Sequence, residues 1–591
     1  MATRARSRFV RSIALLGWTL PILSCSGGGA GGAPAVAPTV TTQPASQTVA
    51  AGGTAVFSVA ATGSAPLAYQ WAHGGSAIAG ATSPTLTLTD VRAASAGSYA
   101  VVVSNGGGSV TSDTATLTVT GSSDPLAAYA LSGFATVGTP TTGGGQLAET
   151  DAGYRKVTTP LELANAVLSA NKGTGVKVIE IMNDLDLGWN EVGTDVQNLS
   201  STPFRSHAAP KLHPRLLVTG VSLVDIQPRN GGLTIFSASG ATIRHATFNI
   251  KNTSNIIVRN LRFDEMWEWD EQTKGDYDSN DWDFIDIGNG GGTAHHVWID
   301  HCTFTKAYDG AVDIKGGAYA ITFSWNKYLG DDGATNPDSF VRQQIAALEA
   351  NQSAYPMYRF LRTNGFGVED IAAILQGHDK THLIGANSLD STNAQHTVTF
   401  HHQWFRNVGD RLPRLRAGNV HNYDIYVDDT DALAARRLRD ARKAAMSSAD
   451  QSTLENTYNF GIPLNGSIST ENGAVLVERS AYVDCLWPLR NNQTDPSDSA
   501  YTGKIAALDT IYVFHETGGT TTTVRGNSTD PGNPLGPFQA AIIPFSWNLT
   551  GDALPYSYAT DDPADLPSLL ATGAGAGVVT WPKANWLRTS Y

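Results

Sequence analysis

His296-Val-Trp-Ile-Asp-His-Cys-Thr-Phe304 and, 24 residues on, Ala320-Ile-Thr-Phe-Ser-Trp-Asn-Lys-Tyr328 share one pattern. Each has an apolar residue, a second two places later, and an aromatic five places after that. Asn255-Ile-Ile-Val-Arg-Asn-Leu-Arg-Phe263 carries the pattern upstream. Thr397-Val-Thr-Phe-His-His-Gln-Trp-Phe405 and Ala474-Val-Leu-Val-Glu-Arg-Ser-Ala-Tyr482 carry it downstream, each 77 residues after the copy before it, or about three such units. An apolar i, i+2 spacing is that of a strand burying one face. Self-similarity at a short period marks a solenoid, in which every unit covers the open face of its neighbour. With Gly/Asn turns and few helical periods, residues 151–591 read as all-β, a right-handed parallel β-helix.

Two stretches break the rhythm. Pro160 to Asn171 has helical spacing and is expected to cap the N-terminal end of the core. Pro337 to Leu375 holds two amphipathic pieces, Phe340 to Ala350 and Val368 to Leu375, and predicts a helical insertion over about 331–376. Beyond about 490 the pattern fades into a Gly/Thr-rich run, Gly518 to Thr523, with scattered Trp and Tyr, expected to cover the β-helix.

Upstream, residues 39–120 alternate short β-type runs with turns, as in a β-sandwich. Trp71 occupies the place of the strand C tryptophan of immunoglobulin-like domains. Ala96-Gly97-Ser98-Tyr99 resembles their tyrosine corner, and Val59 and Val101 stand where antibody domains carry cysteines. The Gly/Thr/Ser-rich stretches 26–38 and 121–150 read as linkers. Residues 1–25 read as a signal peptide, with Arg4, Arg6, Arg8 and Arg11 before an apolar run too short to span a bilayer. It ends Leu23-Ser24-Cys25, which resembles a lipobox. A secreted or cell-surface protein is expected, anchored to the outer membrane if Cys25 is lipidated. The other two cysteines, Cys302 and Cys485, could pair or remain as buried thiols. A monomer is expected.

The 591 residues carry a net charge of −13, which argues against nucleic acid as a partner, since phosphate binding needs a basic footprint. The same charge would repel an acidic polysaccharide unless a multivalent cation bridged the two. Asp281-Trp-Asp283 and Asp309-Gly-Ala-Val-Asp313 set carboxylates at i, i+2 and i, i+4, spacings that share one strand face. Four converging carboxylates would suit Ca²⁺; the alternative is a solvated acidic face. The basic residues of Gly377-His378-Asp379-Lys380 and Asp410-Arg411-Leu-Pro-Arg414-Leu-Arg416 cluster downstream, with a solvated basic loop as the alternative.

Six ordered motifs carry a resemblance. Trp298-Ile-Asp-His301, Tyr308-Asp-Gly-Ala-Val-Asp-Ile-Lys315, Ser324-Trp-Asn-Lys327, His378-Asp-Lys380, Val398-Thr-Phe-His-His402 and Arg411-Leu-Pro-Arg-Leu-Arg416 look like the central motifs of family 1 polysaccharide lyases, the pectate lyases. The match covers roughly 155 to 490. The resemblance implies a parallel β-helix, Ca²⁺, and β-elimination of polygalacturonate. By motif, Asp283, Asp309 and Asp313 match calcium ligands, with Asp281 a fourth. Arg411 matches the base; Lys380 and Arg416 match residues that hold substrate carboxylates, with Arg414 and Lys315 as weaker candidates. His301 is read as a structural residue of the coil. Two other readings stay open: a pectin lyase acting on methyl-esterified substrate, and a non-catalytic β-helix adhesin or glycan-binding protein. The former needs no Ca²⁺, and the latter should lack the basic residues.

Overall fold

The computed structural model describes residues 35–50, 53–78, 80–89, 91, 95–120, 126–207, 220–229, 231–266, 269, 282–289, 293–307, 309–377, 379–528 and 540–590. The signal segment with Cys25, most of the first linker, and Asp281 lie outside them. The chain divides between Ser123 and Asp124 into two units.

The smaller unit is a β-sandwich built from short strands. Gly97–Asn105 pairs antiparallel with Ala68–His73 and with Ala115–Thr120, while Ala55–Ser58 pairs with Thr85–Leu88. Trp71 is fully buried and donates its indole N–H to Ser83 O at 2.9 Å. The Tyr99 hydroxyl donates to Ser95 O at 2.8 Å, closing the tyrosine corner. Val59 and Val101 are buried where a disulfide would sit, so apolar packing, with hydrogen bonds such as that of Gln47 to Val56, holds the two layers.

The larger unit is a parallel β-helix. Its strands fall into three sheets of ten, ten and nine among the described residues. Each coil supplies one strand to each sheet in turn, as His295–Asp300, Thr303–Thr305 and Gly310–Ile314 do. The quoted repeat is therefore a strand of the first sheet, a corner, and a strand of the second. Its apolar positions are the core: Val297, Ile299, Ile321, Phe323, Val398 and Phe400 are all essentially inaccessible. Its aromatics form a ladder along the axis. Phe263 stacks on Phe304 at 5.1 Å, Phe304 on Tyr328 at 5.0 Å, and Tyr328 on Phe405 at 4.8 Å. Those spacings are set by the strand separation of about 4.8 Å, which brings each ring into offset stacking with the next.

Backbone sterics shape the corner between the first and second sheets. Asn260, His301, Trp325, His402, Asp424, Arg479 and Asp509 all adopt left-handed φ there, from 42° to 54°, at about 1 kcal/mol or more each. Stacking of one corner residue on the next offsets part of that cost: Trp325 lies 6.0 Å from His301 and 4.1 Å from His402. His301 is buried and held by Asp300 at 2.7 Å on this corner, away from the third sheet.

The 77-residue offsets are not three coils. Ile321 pairs directly with Val398, so the first offset is one coil plus an insertion. The second holds two coils, because Asn419–Tyr423 pairs on both sides. The helices Phe340–Ala350 and Val368–Leu375 stand where the sequence places them, joined by Pro356–Thr363. A second helical excursion, Thr430–Ala444 and Ser448–Asn456, follows two coils later. Both leave from the corner between the second and third sheets, and they share one satellite core that includes Ile345, Leu375, Leu433 and Leu454. The helix Pro160–Lys172 sits at the start of the β-helix, with Thr159 accepting from Glu162 N and Gly173 closing the last turn at φ 72°.

The linker reading of 121–150 is corrected from residue 126 onward. Phe134 and Ala135 are buried, and their N–H groups donate to Thr399 Oγ1 and Thr322 Oγ1 on the first sheet at 3.0 and 3.1 Å. Glycine is needed here for close approach: a Cβ on Gly144 would meet Lys177 O at 1.8 Å. The composition that suggested freedom marks contact instead. The tail starts later than expected, since Trp487–Arg490, Lys504–Leu508 and Thr510–His515 still build coils. Residues 540–590 then run back over the first sheet and its corner toward the early coils, with Tyr556 hydroxyl 2.9 Å from Thr399 Oγ1 and Gly577 N donating to Asn260 Oδ1 at 2.7 Å. Cys302 and Cys485 are both buried free thiols.

Candidate active site

The third sheet gathers most of the candidate site residues. On Asp283–Ile287 and Gly310–Ile314, Phe284 with Ile285, and Ala311 with Val312, all join the central core. Two consecutive inward residues break the strict alternation, so Asp283 and Asp286 emerge on the same outward side despite their odd spacing. The strands pair in register, Asp286 opposite Asp313. Carboxylate oxygens of Asp283, Asp286 and Asp313 lie within 4.8 Å of one another, all three residues buried. Strict period-2 reasoning misses Asp286; the legible signal is the apolar pair Phe284-Ile285 beside it.

Such a trio is costly without a cation. Both oxygens of Asp283 are buried with no hydrogen-bond donor. Burial first, then the Asp313 and Asp309 charges, pushes its carboxyl well above the ordinary range. Burial also raises Asp313, against the opposing pull of Lys315. Lys315 Nζ lies 3.0 Å from Asp313 and 3.6 Å from Asp286, a side-chain cation partly supplying what the cluster lacks. Backbone space is reserved too, since a Cβ at Gly310 would meet Asp283 Oδ1 at 2.6 Å. Hard oxygen donors, buried and under-satisfied, fit a calcium ion.

Asp309 stands just before the Gly310 strand and is turned to the basic residues. Lys380 Nζ contacts it at 2.9 Å and Arg411 Nη1 lies 3.7 Å away. Burial raises its carboxyl, but Lys380 and Arg411 outweigh that and hold it below the ordinary value. Lys380 pairs through its backbone with Asp410 in the next coil, and Arg411 follows with φ 64°, a strained backbone conformation. Arg411 is mostly buried, and its inaccessible Nε and Nη1 have no hydrogen-bond acceptor. Burial disfavours its charge, but Asp309, Asp410, Asp313 and Asp283 together hold it more firmly protonated than a free guanidinium. Arg414 and Arg416 lie on the strand Arg414–Arg416. Burial and the neighbouring guanidiniums push Arg414 down to about 10, and burial with Arg411 lowers Arg416. Cations set beside cations in this way favour an anionic ligand.

The two helical excursions stand at the edge of this sheet. At their base, Asp331 is buried; burial and then Asp332 raise it to about 7, although Gly333 N donates to it. The folded chain thus keeps a proton that the unfolded chain releases at its ordinary 3.8. Its contribution to stability is full below about pH 4 and is lost as pH rises through 7. Asp331→Asn is expected to raise the unfolding temperature by several degrees at pH 8 and leave it unchanged at pH 4, in calorimetry at both pH values.

The arrangement can hold a hard cation and several carboxylates of an anionic polymer along one sheet. The family profile described as pectate lyase matches residues 107–334 and 371–532, and an immunoglobulin domain profile matches 37–105. Pectate lyase B of Paenibacillus amylolyticus is 48% identical over 377 residues, 63% of this chain and 90% of the relative. Pectate lyase A of Dickeya chrysanthemi is 26% identical over 373 residues, 62% of this chain and 76% of the relative. A solved pectate lyase from Paenibacillus sp. 0602 aligns with TM-score 0.70 at 47% identity, covering 79% of this chain and 100% of that one.

Proposed function

The chain belongs to the pectate lyase family, and from that premise we propose that it cleaves de-esterified polygalacturonate by β-elimination, with Ca²⁺ as cofactor, to 4,5-unsaturated oligogalacturonates. The observation that carries the reading is the buried trio Asp283, Asp286 and Asp313 beside Arg411, whose donors are unspent. Asp283, Asp286 and Asp313 would hold the ion, with Asp309 and Asp281 adjacent in the sequence pattern; bound there, Ca²⁺ supplies positive charge against the enolate-like charge that builds on the substrate carboxylate.

The other roles belong to side chains. Lys380, Arg414 and Arg416 bind uronate carboxylates through charge-assisted hydrogen bonds, which fix the sugar ring against the sheet. Arg411 takes the C5 proton at a guanidine nitrogen. The C5–H electrons form the C4=C5 double bond, the C4–O4 bond breaks, and O4 leaves protonated by solvent. A guanidinium must first release its own proton to serve as base, so the reaction is favoured at alkaline pH. Neutralising the acidic trio removes part of what holds Arg411 protonated.

A lyase that uses carboxylate-binding cations and a hard cation acts on free, not esterified, uronates. The deciding experiment follows the conjugated 4,5-unsaturated uronate by ultraviolet absorbance with polygalacturonate and with highly methyl-esterified pectin. Product from polygalacturonate is expected. Product from the esterified polymer alone would make the chain a pectin lyase, and none from either would leave a glycan-binding protein. The arginine-rich leader ending at Cys25 supports a secreted or surface-anchored enzyme, where such a polymer is met.

A further inference from the structure

Four arginines among the described residues carry a buried Nε with no hydrogen-bond acceptor: Arg411, Arg414, Arg416 and Arg490. The first three lie in the segment that faces substrate. Arg490 ends the last strand of the same sheet, Trp487–Arg490. Arg414 pairs with Ile468, and Ile468 with Arg490, so the two arginines occupy one row two strands apart, or about 10 Å along the axis.

Buried guanidiniums elsewhere in this chain find carboxylates. Arg259 is held by Asp300, and Arg439 by Asp440 and Glu455. Arg490 instead spends one donor, Nη1, on the neutral Asn465 Oδ1 at 2.5 Å. Among the described residues no carboxylate lies within 4 Å of it. In a chain of net charge −13, a half-buried cation left without one is conspicuous.

Arg490 lines a cavity of about 360 Å³ that reaches Lys380. Its far wall is the second helical excursion and the 459–463 segment after it. The acidic groups of the lining are already engaged. Asp410 accepts from Arg411 N at 2.9 Å, Asn465 Nδ2 at 2.8 Å and Gln493 Nε2 at 3.2 Å, while Asp440 and Glu455 are taken by Arg439. The volume suits one sugar ring, and the unspent donors suit its carboxylate.

We propose that Arg490 and this cavity form a further binding site for a galacturonate residue of the polymer, beyond those engaged by Lys380, Arg414 and Arg416, so that the protein favours long pectate over short oligomers. The site rests on the lyase reading above. Burial lowers the Arg490 guanidinium, with the Asp410 charge across the cavity opposing it. The test is steady-state kinetics of Arg490→Gln on polygalacturonate and on trigalacturonate. KM for the polymer is expected to rise about tenfold, with kcat unchanged and the trimer's KM within twofold. A purely structural role would shift both substrates or lower kcat. Arg490→Lys, which keeps the charge but loses the planar fork, should raise the polymer's KM about threefold, and it decides the matter if the glutamine variant fails to fold. Equal effects on both substrates, or none, overturn the proposal. Should the wild type release no product, the lyase reading fails instead; calorimetric binding of polygalacturonate, weakened by Arg490→Gln, then still reports on the site.

Discussion

Chelation is expected to lower lyase turnover on polygalacturonate by about 10²–10³ or more, the scale of losing one electrostatic partner of the developing charge, and added Ca²⁺ to restore it. Three buried carboxylates within 4.8 Å, one of them with no donor to either oxygen, leave the ion-free site under-compensated. Lys315 is a poor substitute, since it reaches two of the three. Asp283→Asn gives the sharper experiment because its two effects have opposite signs. It removes a ligand, so activity should fall with the chelated wild type. It also removes a repelled charge, so in chelator the variant should unfold at an equal or higher temperature than wild type. Full turnover in chelator, or a variant that loses stability along with activity, would displace the metal from this trio.

Arg411→Ala is expected to lower kcat by about 10²–10⁴ with little change in KM, the range for loss of a positioned base. Arg411→Lys separates a base from a mere cation. An ammonium releases its proton near 10.4, a guanidinium only above about 12. If Arg411 must be neutral to act, the lysine variant should reach its limiting rate at lower pH than wild type, measured as kcat against pH. An unmoved profile with retained activity would assign the proton transfer elsewhere.

Legibility followed the physics of each signal. Core positions were legible because stacking in a solenoid repeats one constraint, and the ladder Phe263, Phe304, Tyr328, Phe405 prints it in the sequence. The coil at Asn419–Tyr423 escaped because Asn422 takes the place of its second apolar residue and Val427 that of its aromatic. Asn422 spends its amide on Ser467, so a polar side chain sits in the core without breaking it. The helix Thr430–Ala444 buries mainly alanines, Ala432 and Ala435 with Leu433, too weak an apolar stripe to announce itself. In the candidate site, motifs pointed to Asp283, Asp313, Lys380 and Arg411, but Asp286 needed the local break in pleating. Arg490 belongs to no motif; only the missing carboxylate around it draws notice.

Arg259 has a bearing on the order in which this molecule can be finished. It lies fully buried in an early coil, between Asp300 and the rings of Trp298, Trp581 and Trp586, and it donates to the carbonyls of Trp586 and Arg588 at 3.1 and 2.8 Å. Those carbonyls lie 327 and 329 residues further along the chain. A nascent chain can stack its coils one by one as they emerge, yet Arg259 in an early coil lacks two of its acceptors until residues 586–588 arrive. Synthesis from one end therefore cannot close the fold from that end. Removal of residues 582–591 should cost most in the early coils, and hydrogen exchange should find its loosest amides around 255–260 and not beside the cut.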